Sequence, residues 1–221
     1  MRVHRPCSAC AGTLSTVRGE PLVRQIGAAV AMAAWLASAG ALAQPASRPA
    51  SAPADPPRSV APIVYTPTDI VDEIMDLAGV GAGDYVVDLG SGDGRLVITA
   101  VAKYHARGGF GVDIDGPIVK VSNDNAAKAG VADRVKFHER DLFAADVSEA
   151  TVVTVYLLPG IMPKVEKKLL AELKPGTRVV THDFPFPTWT VEKVIAVESL
   201  DKIATTGFAF TQLYLYKVPP R

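Results

Sequence analysis

The residues with the most chemical content lie in one stretch, Val87-Asp88-Leu89-Gly90-Ser91-Gly92-Asp93-Gly94-Arg95. A β-branched run ends here in alternating glycines, the pattern of a strand that turns tightly into a helix. Without Cβ atoms, Gly90, Gly92 and Gly94 let the chain turn and let a ligand approach the backbone, at the end of a helix whose first N–H groups are free. The spacing is G-x-G-x-G rather than the G-x-G-x-x-G of dinucleotide loops, and carboxylates at Asp88 and Asp93 flank it. Two acids repel a diphosphate and attract a cation. A nucleoside ligand that carries an ammonium and a sulfonium but no phosphate, S-adenosylmethionine, fits that electrostatic demand. In the plainer reading, the glycines only turn the chain and the acids only cap a helix.

Acids at two further strand ends favour the ligand. Gly111-Val112-Asp113-Ile114 puts a carboxylate 25 residues after Asp88, where an acidic side chain can accept from both ribose hydroxyls. Asp113 is the expected ribose ligand; Asp115 is the alternative, or else the N-cap of the helix near Pro117. In Arg140-Asp141-Leu142, after the next strand, Asp141 can accept from the adenine amino group while Leu142 packs on the ring. Asp141 also reads as a loop cap. His138 and His182 are solitary and read as packing or surface residues, because metal sites need clustered ligands; no metal is expected.

These positions require a particular set of elements. Thr66-Pro67-Thr68-Asp69 predicts a helix start with Thr66 as N-cap and Pro67 in the first turn, followed by Ile70, Ile74, Leu77 and Ala78 at helical spacing. Strands are expected at 85–89, 109–114, 135–138, 151–158 and 177–181, and helices at 95–104, 117–129 and 162–173. Two closing strands, 191–198 and 208–218, are expected to be joined by a short connection. Lys164, Lys167, Lys168, Glu166 and Glu172 read as a solvated helix face. Phe208, Phe210, Tyr214 and Tyr216 read as core plus sheet face. Strand and helix alternate and then end in a hairpin, the signature of an α/β domain.

The chain has 221 residues with 23 basic and 23 acidic side chains, so it lacks the basic surface that duplex nucleic acid demands; no nucleic-acid partner is expected. Gly27 to Ala43 carries no charge, follows Arg18 and Arg24, and closes on Ala41-Leu42-Ala43, the layout of a secretory signal peptide over residues 1–43. An uncleaved membrane anchor is the alternative, since the run reaches the lower limit of about 17 residues for a span. Cleavage after Ala43 would remove Cys7, Cys10, four arginines and Glu20, turning 23 and 23 charges into 19 basic and 22 acidic. Residues 44–64, with six prolines between Gln44 and Pro62, read as an extended linker, and 65–218 as one domain. The charge bias points the domain outward, to the periplasm or, if anchored, to the outer face of the inner membrane. The domain is expected to be a monomer that touches membrane only through an uncleaved N-terminus.

The series DLGSGDGR, GVDID, RDLF and YLLP resembles the class I S-adenosylmethionine-dependent methyltransferases over essentially all of 65–218. That resemblance implies a Rossmann-like seven-stranded sheet, parallel except the last strand, with helices on both faces. It also implies S-adenosylmethionine held by Asp88, Gly90, Ser91, Gly92, Asp93, Gly94, Asp113, Ile114, Asp141 and Leu142. The segments Y-T-P-T, V-Y-L-L-P and Phe184-Pro185-Phe186-Pro187-x-Trp189 are similar to those of small lysine methyltransferases related to the mitochondrial enzymes that act on the ATP synthase c subunit and the adenine nucleotide carrier. A protein lysine is then the implied acceptor, with a small molecule as the alternative, and Tyr65, Tyr156, Asp183 and Trp189 are the expected walls of its pocket beyond the strand ends. Tyr156-Leu157-Leu158-Pro159 stands where amide and ring-nitrogen enzymes carry Asn-Pro-Pro-Tyr, which argues against a nucleobase. Two rival classes are a catalytically silent cofactor-binding domain and a nicotinamide oxidoreductase; the glycine spacing disfavours the second.

Overall fold

The computed structural model describes residues 65–220, apart from the side chains of 204–206. The expected signal peptide and linker, 1–43 and 44–64, lie outside the described residues. The elements run α1 (Thr68–Ala78), β1 (Tyr85–Leu89), α2 (Arg95–Ala102), β2 (Gly108–Asp113), α3 (Gly116–Lys128), β3 (Val135–Glu139), β4 (Val152–Val155), α4 (Met162–Glu172), β5 (Arg178–His182), β6 (Lys193–Glu198), α5 (Leu200–Thr206) and β7 (Phe210–Lys217).

The seven strands form one sheet in the order β3-β2-β1-β4-β5-β7-β6. β1 through β5 pair in parallel, and β7 runs antiparallel to both β5 and β6, so the last strand alone is reversed. The order reverses between β1 and its neighbours β2 and β4. That switch point opens a crevice at the carboxyl ends of the strands, where the diverging connections leave room for a ligand.

Strand side chains alternate between two cores. Val86, Val152 and Val180 face Ile70, Ile74, Leu96, Val97 and Ala126 from α1, α2 and α3. Val87, Val153 and Val179 face Val165 and Leu169 of α4, together with Phe186, Trp189 and Tyr216. Helices therefore cover both faces, and every central strand is buried on both sides, which is why these strands read as near-continuous valine runs.

Several expectations need correction. Thr66 does not cap α1: Pro67 holds the N-cap position, and the Thr66 hydroxyl lies 3.4 Å from His182 Nδ1 instead. β4 stops at Val155 rather than Leu158, because the chain leaves the sheet toward Pro159. The connection between β6 and β7 is a helix, α5, capped by the Ser199 hydroxyl at Lys202 N and closed by Gly207 in the left-handed conformation. Ser199, Asp201 and Gly207 are ordinary start and stop signals for such a helix. The α4 charges are not all solvated. Lys168 is buried, with its ammonium on Glu172 and on the Ala145 carbonyl at 2.6 Å, and buried Glu166 accepts from the Thr188 hydroxyl at 2.7 Å. Phe208 and Phe210 are exposed rather than core, whereas Tyr216 is fully buried.

Candidate active site

The glycine loop closes β1 onto α2 with positive φ at Gly90 (85°), Gly92 (51°) and Gly94 (83°). A Cβ at Gly94 would stand 2.5 Å from the Phe137 ring, so position 94 is glycine for space as well as for φ. The loop amides are spent inside the protein. Gly90 N and Ser91 N both donate to Val112 O, Gly94 N donates to Ser91 O, and Gly92 N donates to Asp113 Oδ2 at 3.0 Å. A pyrophosphate cradle needs such N–H groups aimed outward; with these four turned inward, the loop suits a ligand without phosphate.

Asp113 at the end of β2 takes one amide on each oxygen, Gly92 N on Oδ2 and Asp115 N on Oδ1. These bonds fix the carboxylate and leave acceptor capacity for a pair of hydroxyls. Asp115 caps α3 by accepting from Ile118 N. Ile114, half-buried, links the two acids. Asp141 is exposed and accepts from Phe143 N, opening the 3-10 turn Leu142–Ala144, while Leu142 packs partly onto the α4-side core.

Asp93 is paired with its own neighbour, its carboxylate held by Arg95 Nε at 2.9 Å and Nη2 at 2.6 Å, so it offers no uncompensated charge to a ligand. The buried Ser91 side chain stands against Gly111, near the Phe137 ring, and its hydroxyl has no hydrogen-bond partner among the described residues. Asp88 is fully buried and accepts from the Thr154 hydroxyl at 2.7 Å; burial pushes its carboxyl up to about 7, with Asp113 and Asp93 adding to the rise. The loop's acidity therefore rests mainly on Asp113.

On the other side of the crevice, Arg95 Nη1 binds the Thr66 carbonyl at 2.7 Å, and its guanidinium lies over the Tyr65 ring. This tether lays Tyr65 along Gly92. Leu157, just past β4, stands against Gly90. Tyr156 stacks on His182 with ring centroids 3.8 Å apart and donates its hydroxyl to Asp183 Oδ2 at 3.2 Å. Asp183 sits at a positive φ of 61°, a conformation that turns its carboxylate off the end of β5.

His182 and Lys202 belong to this cluster and were not anticipated as site residues. His182 is buried, bonded to the Thr211 hydroxyl at 2.6 Å, and desolvation lowers its pKa to about 4, so it is neutral at physiological pH. Lys202 of α5 puts its ammonium 2.7 Å from both Asp183 oxygens and 2.8 Å from Thr211 Oγ1. Burial alone would raise the Asp183 carboxyl, but the Lys202 ammonium and Thr211 hydroxyl outweigh it and hold the group below the usual carboxylate range. Trp189 is not brought here. It packs in the α4-side core between Phe186 and Tyr216, with its indole N–H on the Lys217 carbonyl.

Comparison with known proteins gives this geometry a family. The sequence profile of the ANTKMT methyltransferase domain matches residues 88–193. A protein-lysine N-methyltransferase of Saccharolobus islandicus is 41% identical over 62% of this chain and 85% of its own length. The chain belongs to this methyltransferase family. The adenine nucleotide translocase lysine N-methyltransferase of Mus musculus is 34% identical over 67% of this chain, which spans 63% of the mouse enzyme. A solved structure described as an RNA methyltransferase from Salinibacter ruber, in complex with S-adenosyl-L-homocysteine, is 43% identical with a TM-score of 0.64. It covers 72% of this chain and 95% of its own. As a member of the family, the chain is an S-adenosylmethionine-dependent methyltransferase, and its inward-turned loop amides and fixed Asp113 fit that cofactor.

Proposed function

We propose that the enzyme methylates the side-chain amine of a protein lysine at the crevice between the glycine loop and the Tyr156–His182–Asp183 cluster. The observation that carries this reading is the composition of that cluster: a phenol ring stacked on a neutral imidazole, and a carboxylate already matched by an ammonium. When bound, S-adenosylmethionine would supply a methyl group on a sulfonium, which a neutral amine can take by bonding to the methyl carbon in line as the C–S bond breaks and the neutral thioether leaves. Asp113 would hold the ribose, with Ile114 beside it, and Asp141 and Leu142 would hold the adenine end. Gly90 and Gly92 let the ligand lie close to the backbone, while Leu157 and Tyr65 exclude water from the same space. What remains is alignment, because a sulfonium needs no activation by the protein. Tyr156 and Asp183 face an acceptor entering past the ends of β4 and β5, and a partly apolar setting favours the amine over the ammonium.

We further propose that residues 1–43 export the domain, so that its acceptors lie among envelope proteins; the arginines before the uncharged run support this orientation. The experiment compares methyl-lysine in envelope proteins from cells with and without the intact gene, with a fusion of residues 1–65 to a reporter active only outside the cytoplasm. Loss of specific methyl-lysine marks together with an active reporter is the expected result. A silent reporter would overturn export, and unchanged marks would overturn the envelope acceptor. The Salinibacter relative makes RNA the competing acceptor, which the balanced charge of this chain disfavours.

A further inference from the structure

An acceptor lysine is an ammonium in bulk water, and only its neutral form has the lone pair that can bond to the methyl carbon and displace the thioether. A bare carboxylate at the site would bind that ammonium and hold the proton on it. Asp183 is the carboxylate that accepts from Tyr156 among the described residues, so its charge state bears on which form the site selects.

The groups around Asp183 come from four directions. Lys202 on α5 contacts both oxygens, Thr211 on β7 donates at 2.6 Å, His182 beside it is 3.8 Å away, and Tyr156 donates from the end of β4. Tyr214 on β7 also faces it, with its hydroxyl bonded to Gln212. With His182 neutral, the charged pair among the groups named here is the Asp183 carboxylate and the Lys202 ammonium. α5 is held in place for this pairing: Ser199, its N-cap, donates to Asp69 Oδ1 of α1 at 3.1 Å, and the Lys202 ammonium also binds the Phe210 carbonyl at 3.2 Å.

We propose that Lys202 is a built-in counter-charge: by saturating Asp183, it leaves the acceptor site without net attraction for an ammonium, so that the substrate lysine gives its proton to bulk water and enters as the neutral amine. Lys202 acts through Asp183 rather than on the substrate, and it makes the pair a partial stand-in for the ammonium the site must reject. A second fixed cation near an amine lowers that amine's pKa, which works in the same direction. This inference rests on the lysine reading above.

The test uses the full chain with cofactor and a lysine-bearing acceptor peptide both saturating, and follows kcat against pH, which reports the groups of the bound complex, in wild type and four variants checked for folding by Tm. In Lys202→Met, Asp183 is unmatched, and the acid limb should move to higher pH by about one unit or more. In Asp183→Asn, which keeps a residue tolerant of positive φ, the Lys202 ammonium loses the Asp183 carboxylate and the limb should move to lower pH. The double variant should return close to wild type, and Lys202→Arg should stay there. A second readout is binding of n-butylamine by calorimetry, which at pH 7 should be tighter in Lys202→Met than in wild type. If Lys202→Met does not fold, the opposite shift in Asp183→Asn carries the test. A wild-type enzyme that methylates no lysine peptide would overturn the lysine reading; one that does so, with limbs that coincide across the folded variants, would overturn only the counter-charge.

Discussion

At the scale of single residues, carboxylates do most of the chemistry, and their surroundings divide the work. Asp113 is held by two backbone amides, so its replacement should remove a pair of charge-assisted hydrogen bonds and slacken the Gly92 turn. Asp113→Ala should weaken S-adenosylmethionine binding by about 2–3 kcal/mol, measured by calorimetry, and unchanged affinity would take the ribose role away from it. Asp88 makes a different prediction. Its carboxyl titrates near 7 in the folded protein against 3.8 ordinarily, so the native state holds the proton longer than the unfolded chain does. Stability from this group is present at low pH and is lost as pH rises from about 4 to 7. His182 contributes the opposite slope, because its folded pKa of about 4 lies below the ordinary 6.5. The difference between Asp88→Asn and wild type isolates the first effect. In cofactor-free protein, the variant should gain relative stability across pH 4 to 7, on the order of 4 kcal/mol in denaturant titrations. A constant offset would refute the assignment.

At the scale of elements, the strand ends were legible in the sequence because each buried strand announces itself as a short β-branched run stopped by glycine or acid. Val86 to Gly90 and Gly111 to Asp113 are of this kind, and the loop geometry follows locally from them. The acceptor side was only half legible. Tyr156 and Asp183 were readable as strand-end residues, but Lys202 and His182 owe their roles to β7 pairing antiparallel with β5, which sets Thr211 and α5 against Asp183. No local pattern encodes that distance in sequence. Trp189 misled for the same reason: an aromatic near a strand end can face the site or the core, and the burial of Phe186 and Tyr216 decides for the core. Lys168 shows an element positioning a loop. Its ammonium gathers the Ala145 and Phe143 carbonyls just after Asp141 and Leu142. Lys168→Met keeps the packing and releases that loop, so KM for the cofactor should rise severalfold with kcat little changed, as steady-state kinetics would reveal; an unchanged KM would free the adenine loop from α4.

At the scale of the whole molecule, a parallel sheet with a single reversed strand brings six strand ends to one edge, and the order reversal beside β1 opens that edge for a ligand. One side of the opening is built to hold a cofactor without phosphate, and the other is neutral, aromatic and internally charge-matched. The architecture therefore predicts a methyl acceptor that arrives as a neutral amine on a macromolecule rather than as a polyanion. The most direct measurement incubates the full-length protein with S-adenosylmethionine labelled in its methyl group and with separate envelope-protein and RNA fractions, then hydrolyses each fraction and identifies the labelled component. The account predicts label in methylated lysine from the protein fraction, abolished by prior protease treatment. Label confined to nucleosides, with none in lysine, would contradict it.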